Sequence, residues 1–293
     1  MLELTPSGAL GTLYVVATPI GNLGDITQRA LAVLKSVDLV AAEDTRHSGQ
    51  LLSRLGIAVK FVALHEHNEQ RATPYLIADL QAGKNVALIT DAGTPAISDP
   101  GTLLVAAAHE AGIRVVPVPG ASAVVCALSA AGIYAPNWLF YGFLPAKASH
   151  RRDALAQLKT LPYTLIFYEA PHRIMGCVAD LAVVLDGDRR ITFARELTKL
   201  FESIHSLPLA EASDWLAADT NRQKGEFVLI VEGAKAVEDN AEQQHLRDTL
   251  TILLEELPLK QAAHIAAKLT GIKKNTCYKL ALSMRDDVDE EEN

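Results

Sequence analysis

The chain has 293 residues, 49% hydrophobic and 21% charged, a globular composition long enough for about two domains. Its formal net charge of −8 argues at first against a nucleic-acid partner, and no apolar run reaches the roughly 18 residues that cross a bilayer. Met1 to Leu10 lack the basic and apolar regions of a secretory signal, and Cys126, Cys177 and Cys277 stand in no metal-binding spacing, so free thiols in a reducing, cytoplasmic compartment are expected.

Apolar, β-branched runs alternate with helix-period segments from the start. Leu13–Ala17 reads as the first strand, and Asp25 as the N-cap of a following helix, with Gln28 at the capping-box position. Strands are expected at Asp38–Ala42, Lys60–Leu64, Val86–Thr90 and Arg114–Val118. Helices are expected around Thr73–Gln81, Leu103–Ala111 and Ser122–Ala131. This alternation predicts a mostly parallel sheet covered on both faces, over residues 11–120.

From about Ala135 the texture changes. Strand candidates at Trp138–Phe143, Thr164–Tyr168, Ile191–Ala194, Phe201–His205 and Phe227–Val231 are separated by fewer helices, clearest at Arg152–Lys159 and His172–Leu185. A second α/β domain with a mixed sheet is expected over 121–233, then a polar linker from Gly233 to Ala241. Three helices follow, at Glu242–Leu257, Leu259–Leu269 and Lys274–Met284, making a C-terminal helical module over 242–285. Its last two helices flank Thr270-Gly271-Ile272-Lys273 and read as helix-turn-helix.

The charge is unevenly spread. Six of the 35 acids fall in the acidic tail, 286–293, which reads as solvated and disordered. Leu257–Arg285 carries Lys260, Lys268, Lys273, Lys274, Lys279 and Arg285 with no acid, so the overall balance hides a basic module suited to RNA phosphates. Such a module packs as a plain helical cap as often as it binds nucleic acid, and His264 reads as a surface residue of it.

Two turns stand at the carboxyl ends of likely strands, where open α/β sheets bind ligands. Thr18-Pro19-Ile20-Gly21-Asn22-Leu23-Gly24-Asp25 is neither a Walker loop nor a full dinucleotide fingerprint, although Glu43 stands where the ribose acid of that fold would be. Thr90–Gly101 places Asp91 directly after an apolar strand, where it can meet a ligand or cap its own loop. Pro119-Gly120-Ala121-Ser122-Ala123 opens a helix with small residues that let a ligand approach backbone N–H groups.

Together with Glu43-Asp44-Thr45-Arg46, Tyr141–Pro145, Tyr168–Arg173, Ala194–Lys199 and Lys224–Gly233, these motifs stand in an order that resembles the tetrapyrrole-methylase superfamily of S-adenosylmethionine-dependent methyltransferases (class III). Within it, the chain is most similar to the ribosomal-RNA branch, the small-subunit rRNA methyltransferases I, which methylate a cytidine 2′-O-ribose of 16S RNA. The resemblance runs from about Gly11 to Leu282. The glycine-rich first loop of the tetrapyrrole enzymes is replaced here by Thr-Pro-Ile-Gly-Asn, which favours the RNA branch.

The resemblance implies two α/β domains with S-adenosyl-L-methionine in the cleft between them, small-subunit ribosomal RNA or the assembled subunit as partner, a homodimer, and no metal. Carried over, Pro19 and Gly21 line the cofactor floor. Asp91, Gly93 and Thr94 meet the methionine and ribose end, Ser122 and Ala123 touch the cofactor, and Tyr168 and Phe227 close over the adenine. Asp44, His172 and Glu196 are the candidate bases. Arg46, Arg151, Arg152, Arg195, Lys199, Lys224, Lys273 and Lys274 are the candidate RNA contacts. For any single one of these charged residues, a solvated loop position or a salt bridge is the plainer reading.

Three rivals stand beside this expectation: a tetrapyrrole or other small-molecule methyltransferase, a non-catalytic nucleic-acid-binding protein, and, more distantly, a nicotinamide enzyme. Failure to bind S-adenosylmethionine in calorimetry would favour the second, and a thermal shift with NAD the third. Deleting residues 240–293 separates the first: an RNA enzyme is expected to lose methyl transfer, whereas a small-molecule enzyme keeps it.

Overall fold

Strands whose residues are apolar on both sides build the first sheet. The computed structural model describes residues 10–234 and 238–291, with side chains described from 245 to 284 in the latter stretch. β1 (Thr12–Val16), β2 (Leu39–Ala42), β3 (Lys60–Ala63), β4 (Val86–Ile89) and β5 (Arg114–Val118) pair in the order β3-β2-β4-β1-β5, and every pairing is parallel. β2 and β4 are buried along their whole length, as central strands of a parallel sheet must be.

Helices cover both faces. α1 (Gln28–Ser36) and α2 (Thr45–Arg54) supply Ala30, Leu34 and Leu52 to a layer with Val16, Val40 and Ile89. α3 (Glu69–Gln81) and α4 (Thr102–Glu110) supply Leu76, Leu80, Leu104 and Ala108 to the opposite layer, with Leu13, Ala41 and Leu88.

The second sheet runs β6-β7-β10-β8-β9, from β6 (Trp138–Phe143), β7 (Thr164–Glu169), β8 (Arg190–Arg195), β9 (Ser203–Pro208) and β10 (Phe227–Val231). β6 and β7 are parallel, and the other neighbours antiparallel. Side chains alternate across the central strand. Phe227, Leu229 and Val231 face the layer under α6 (Ala148–Leu158), α7 (Ile174–Val184) and α8 (Ala212–Ala217). Val228 and Ile230 face α5 (Ala123–Ala130), through Val124 and Ala127. α5 therefore follows the first sheet in the chain but packs on the second.

Several local expectations are corrected. Asp25 is not the cap of α1: it ends a short 3-10 turn capped by Asn22, and Thr27 caps α1 by accepting from the Ala30 N–H at 3.1 Å. α2 and α8 are additional helices; α2 carries Ser48-Gly49 in mid-helix and buries little beyond Ser48 and Leu52, which blunts its periodicity. α3 starts four residues before the expected Thr73 and carries Pro74 inside it.

Contacts separate the chain after Gly233. The second unit contains α9 (Glu238–Glu256), α10 (Leu259–Thr270) and α11 (Lys274–Glu291), packed around Leu246, Leu250, Ala263, Ala266, Cys277 and Ala281. Gly271, at φ +75°, ends α10 in the left-handed conformation and sets the turn into α11. Lys260, Lys268, Lys273, Lys274 and Lys279 are exposed, as is His264. The α11 backbone continues as helix through Asp286–Glu291, where a disordered tail is expected; the tail's side chains lie outside the described residues.

The start of α4 is capped from another helix. Gly101 holds its N-cap position at φ +129° and offers no side chain, and a Cβ there would meet Leu88 at 2.6 Å. The buried Glu69 of α3 fills the role, accepting from the N–H groups of Gly101 and Leu103, each at 2.9 Å. Glu69→Ala leaves these donors unpaired and is expected to cost about 2 kcal/mol. A urea midpoint lowered at constant slope measures it; an unmoved midpoint refutes the cap.

Candidate functional site

Three strand ends of the first sheet are knitted together at their carboxyl edge. Thr18 after β1 and Gly93 after β4 exchange two backbone bonds, Thr18 N–H to Gly93 O at 2.9 Å and Gly93 N–H to Thr18 O at 3.1 Å. The Thr18 hydroxyl also donates to Thr90 O at 3.1 Å. Asp91 accepts from the Asp44 N–H at 3.3 Å, which ties the end of β4 to the end of β2. Thr94 donates its hydroxyl to Ala121 O at 3.0 Å, bringing the turn before α5 into the same group. Gly93 at φ +84° takes left-handed backbone without strain, whereas Ala96 at φ +64° is strained in the way that collects at ligand sites.

Above this floor lies a cavity of about 400 Å³. The first sheet contributes Ile20, Ala92–Thr94 and Ile97–Asp99, and the turn into α5 contributes Ser122 and Ala123. The second sheet contributes Phe143, Tyr168, Ala194, Leu197, Phe227 and Val228. Tyr168 meets Phe140 and Phe143 edge-on at 4.9 and 5.6 Å, and burial, then the charge of Asp99, pushes its phenol up to about 12. It is a neutral donor at any physiological pH.

A second cavity of about 270 Å³ adjoins the first and shares Ile20, Ala92 and Glu226 with it. Pro19, Gly21 and Asp91 line this one, with His47, Gln50, Leu51 and Arg54 of α2. Of the expected cofactor residues, Gly93, Thr94, Ser122, Ala123, Tyr168 and Phe227 line the larger cavity, and Pro19, Gly21 and Asp91 the smaller.

The carboxylates divide by environment. Asp44 caps α2 through the Arg46 and His47 N–H groups and pairs with the Arg46 guanidinium at 3.1 Å; the Arg46 contacts hold it down at about 2. Glu196, at φ +52°, accepts from Lys199 at 3.0 Å and from the Glu226 N–H at 2.9 Å. Burial alone would raise Glu196, but these donors and nearby Arg195 outweigh it and hold the carboxyl below its usual range. Both are weak proton acceptors. Glu43 and Asp99 go the other way: burial raises each, and mutual repulsion with Asp91 adds to it. Asp99 lines the larger cavity and is absent from the sequence-derived candidates, although it stands in the same turn as Asp91.

Several basic candidates have structural partners. Arg151 is buried against Asp180 at 2.6 Å, and Arg152 reaches the other oxygen of Asp180 at 2.9 Å. Arg195 clamps the loops beside it, donating to Ser203 Oγ and to the carbonyls of Asn221, Lys224 and Phe201. Lys199 bridges Glu196 and Glu226, at 3.0 and 2.6 Å, and lines the smaller cavity. Lys224 donates to Asn221 Oδ1 at 3.0 Å. His172 is exposed one residue past Pro171, which lines the larger cavity. Lys273 and Lys274 belong to the separate helical unit.

Comparison with known proteins adds three findings. Residues 12–213 match the family model for tetrapyrrole (corrin/porphyrin) methylases, and residues 239–285 match the RsmI C-terminal HTH domain model. The chain is 54% identical over 275 residues to the ribosomal RNA small subunit methyltransferase I of Escherichia coli O157:H7, covering 94% of this chain and 96% of that one. It is 56% identical over 274 residues to the protein of the same name from Pseudomonas aeruginosa, covering 93% and 97%. In fold it is similar to the uroporphyrin-III-C-methyltransferase of Thermus thermophilus, with a TM-score of 0.55 at 21% identity, over 76% of this chain and 94% of that one. The methyltransferase CobJ aligns with a TM-score of 0.58 at 18% identity, over 76% and 95%.

The raised carboxyl of Asp99 has a consequence for stability. A carboxyl whose pKa rises on folding favours the folded state at low pH, and that contribution disappears as pH climbs through the folded value. Asp99→Asn removes the crowded charge, so it is expected to raise Tm at pH 7 and to leave it little changed below the ordinary Asp value of 3.8. A Tm series over pH measures this; a drop at pH 7 contradicts it.

Proposed function

The chain belongs to the tetrapyrrole methylase family, and on that basis we propose that it uses S-adenosylmethionine to methylate the ribose 2′-oxygen of a cytidine in small-subunit (16S) ribosomal RNA. The observation that carries this reading is identity above half, over almost the full length of both chains, to proteins named ribosomal RNA small subunit methyltransferase I. The similarity extends through the C-terminal unit, whereas the tetrapyrrole enzymes align with 76% of this chain while using nearly all of their own length. The basic surface of α10 and α11 supports an RNA partner, and no helix among the described residues is long and apolar enough to cross a membrane. A cytoplasmic homodimer completes the reading.

The residues around the larger cavity fit S-adenosylmethionine. Asp99 lines it, with the repelling charges of Asp91 and Glu43 close behind, a negative field that suits a ligand carrying an ammonium and a sulfonium. Gly93, Ala92 and Ala123 leave the backbone approachable, while Ile20, Leu197, Val228 and the aromatic edges of Tyr168 and Phe143 give an apolar wall for a base. When bound, the cofactor supplies a methyl group already activated on sulfur.

The protein's task is then alignment at near-attack distance and exclusion of water. The knitted strand ends fix the floor, and the second sheet closes the roof. Asp44 and Glu196, both held acidic, serve as a helix cap and a loop anchor on this reading rather than as bases. A large share of the rate enhancement comes from positioning.

Protein and labelled S-adenosylmethionine, offered small ribosomal subunits that lack the modification and then digested to nucleosides, are expected to give label in 2′-O-methylcytidine. Asp99→Ala is expected to weaken cofactor binding in calorimetry. Reversing Lys273 and Lys274 to Glu is expected to raise KM for the subunit and leave cofactor affinity unchanged. Cofactor binding with no label in RNA would move the acceptor to a small molecule.

A further inference from the structure

We propose that the smaller cavity seats the target nucleotide of the RNA, and that the exposed face of α2, bearing His47, Gln50 and Arg54, reads it. This rests on the RNA methyltransferase reading above. A transfer reaction needs donor and acceptor in contact, and the two cavities meet at Ile20, Ala92 and Glu226. Ligands in the two are therefore next to each other, on either side of the same three residues.

The volume, about 270 Å³, suits one nucleotide and not a duplex. The target must therefore enter unstacked, as in single-stranded RNA recognition generally. Pro19, Leu23 and Leu51 offer an apolar bed for sugar and base. His47, Gln50 and Arg54 fall at i, i+3 and i+7, on one side of α2, and all three are exposed.

Charge picks out Arg54 within this group. Lys199, the other Lys or Arg lining the cavity, is already neutralised by Glu196 and Glu226. The Arg54 guanidinium has no ion pair or side-chain hydrogen bond among the described residues, and its planar fork matches a phosphate. Gln50 carries both a donor and an acceptor for a base edge.

Kinetics of methyl transfer to unmodified small subunits test this with Arg54→Ala and Gln50→Ala, alongside calorimetry for the cofactor and a melting curve for each variant. Arg54→Ala is expected to raise KM for the subunit about tenfold, the loss of one charge-assisted phosphate contact, with cofactor affinity and Tm unchanged. Titration with cytidine 5′-monophosphate is expected to shift the His47 ring signals in the NMR spectrum of the cofactor-bound protein, and to shift them far less in Arg54→Ala. An unchanged KM in both variants overturns the proposal, and so does a parallel loss of cofactor affinity, which would assign α2 to the cofactor. If the wild-type protein binds cofactor but labels no RNA, the RNA reading itself falls, and this site with it.

Discussion

Two backbone hydrogen bonds between Thr18 and Gly93 set the geometry on which both cavities depend. Parallel strands leave their carboxyl ends open, and loops that follow them are free to diverge. Here the loops after β1 and β4 are bonded to each other directly, and Asp91 carries the connection on to Asp44 after β2. Ile20 and Ala92, near the bridge, line both the larger and the smaller chamber. Glycine at 93 is favoured by φ +84°, although a Cβ there would meet Ile20 only at ordinary contact distance, 3.4 Å.

Arginine and lysine serve two ends in this protein, and burial separates them. Arg151 and Asp180 are a desolvated pair under α6 and α7, where losing one partner strands a buried charge and costs about 3–5 kcal/mol. Arg173 joins the buried Glu169 at 3.1 Å and also donates to Leu144 O, so it fixes the ends of β6 and β7 that carry Phe143 and Tyr168. These cations shape the roof of the cleft from behind. Arg54 on α2 and the lysines of α10 and α11 are exposed and cost little to hold ready for an anion.

The fold is legible in the sequence where periodicity is strong. β6 and β10 fall on the expected residues, and Val86–Ile89 reads as a buried strand because nothing in it is polar. The cleft is legible too, because Pro, Gly and Thr cluster in the turns that form it. α2 is obscured by Ser48-Gly49 and by an outer face built for solvent or ligand, so the helix lining the smaller cavity gives a weak pattern. The acid partner of Arg151 lies 29 residues away and the partners of Arg195 lie 6 to 29 away, pairings that composition cannot reveal. Asp99 escapes for a different reason: its importance comes from crowding with Glu43 and Asp91, which only the folded sheet brings together.

The place of β10 governs how the second sheet can form during synthesis. It is the last strand made, yet it lies in the middle, between β7 and β8. Until Phe227–Val231 emerges, β7 and β8 have no shared neighbour, and the apolar face of α5 waits for Val228 and Ile230 across about a hundred residues of chain. The first sheet is complete by Val118 and closes from local β-α units. This topology favours an early N-terminal scaffold and a late keystone strand. A nascent or truncated chain ending before Phe227 presents two raw strand edges, the kind of surface that chaperones hold and that aggregates recruit.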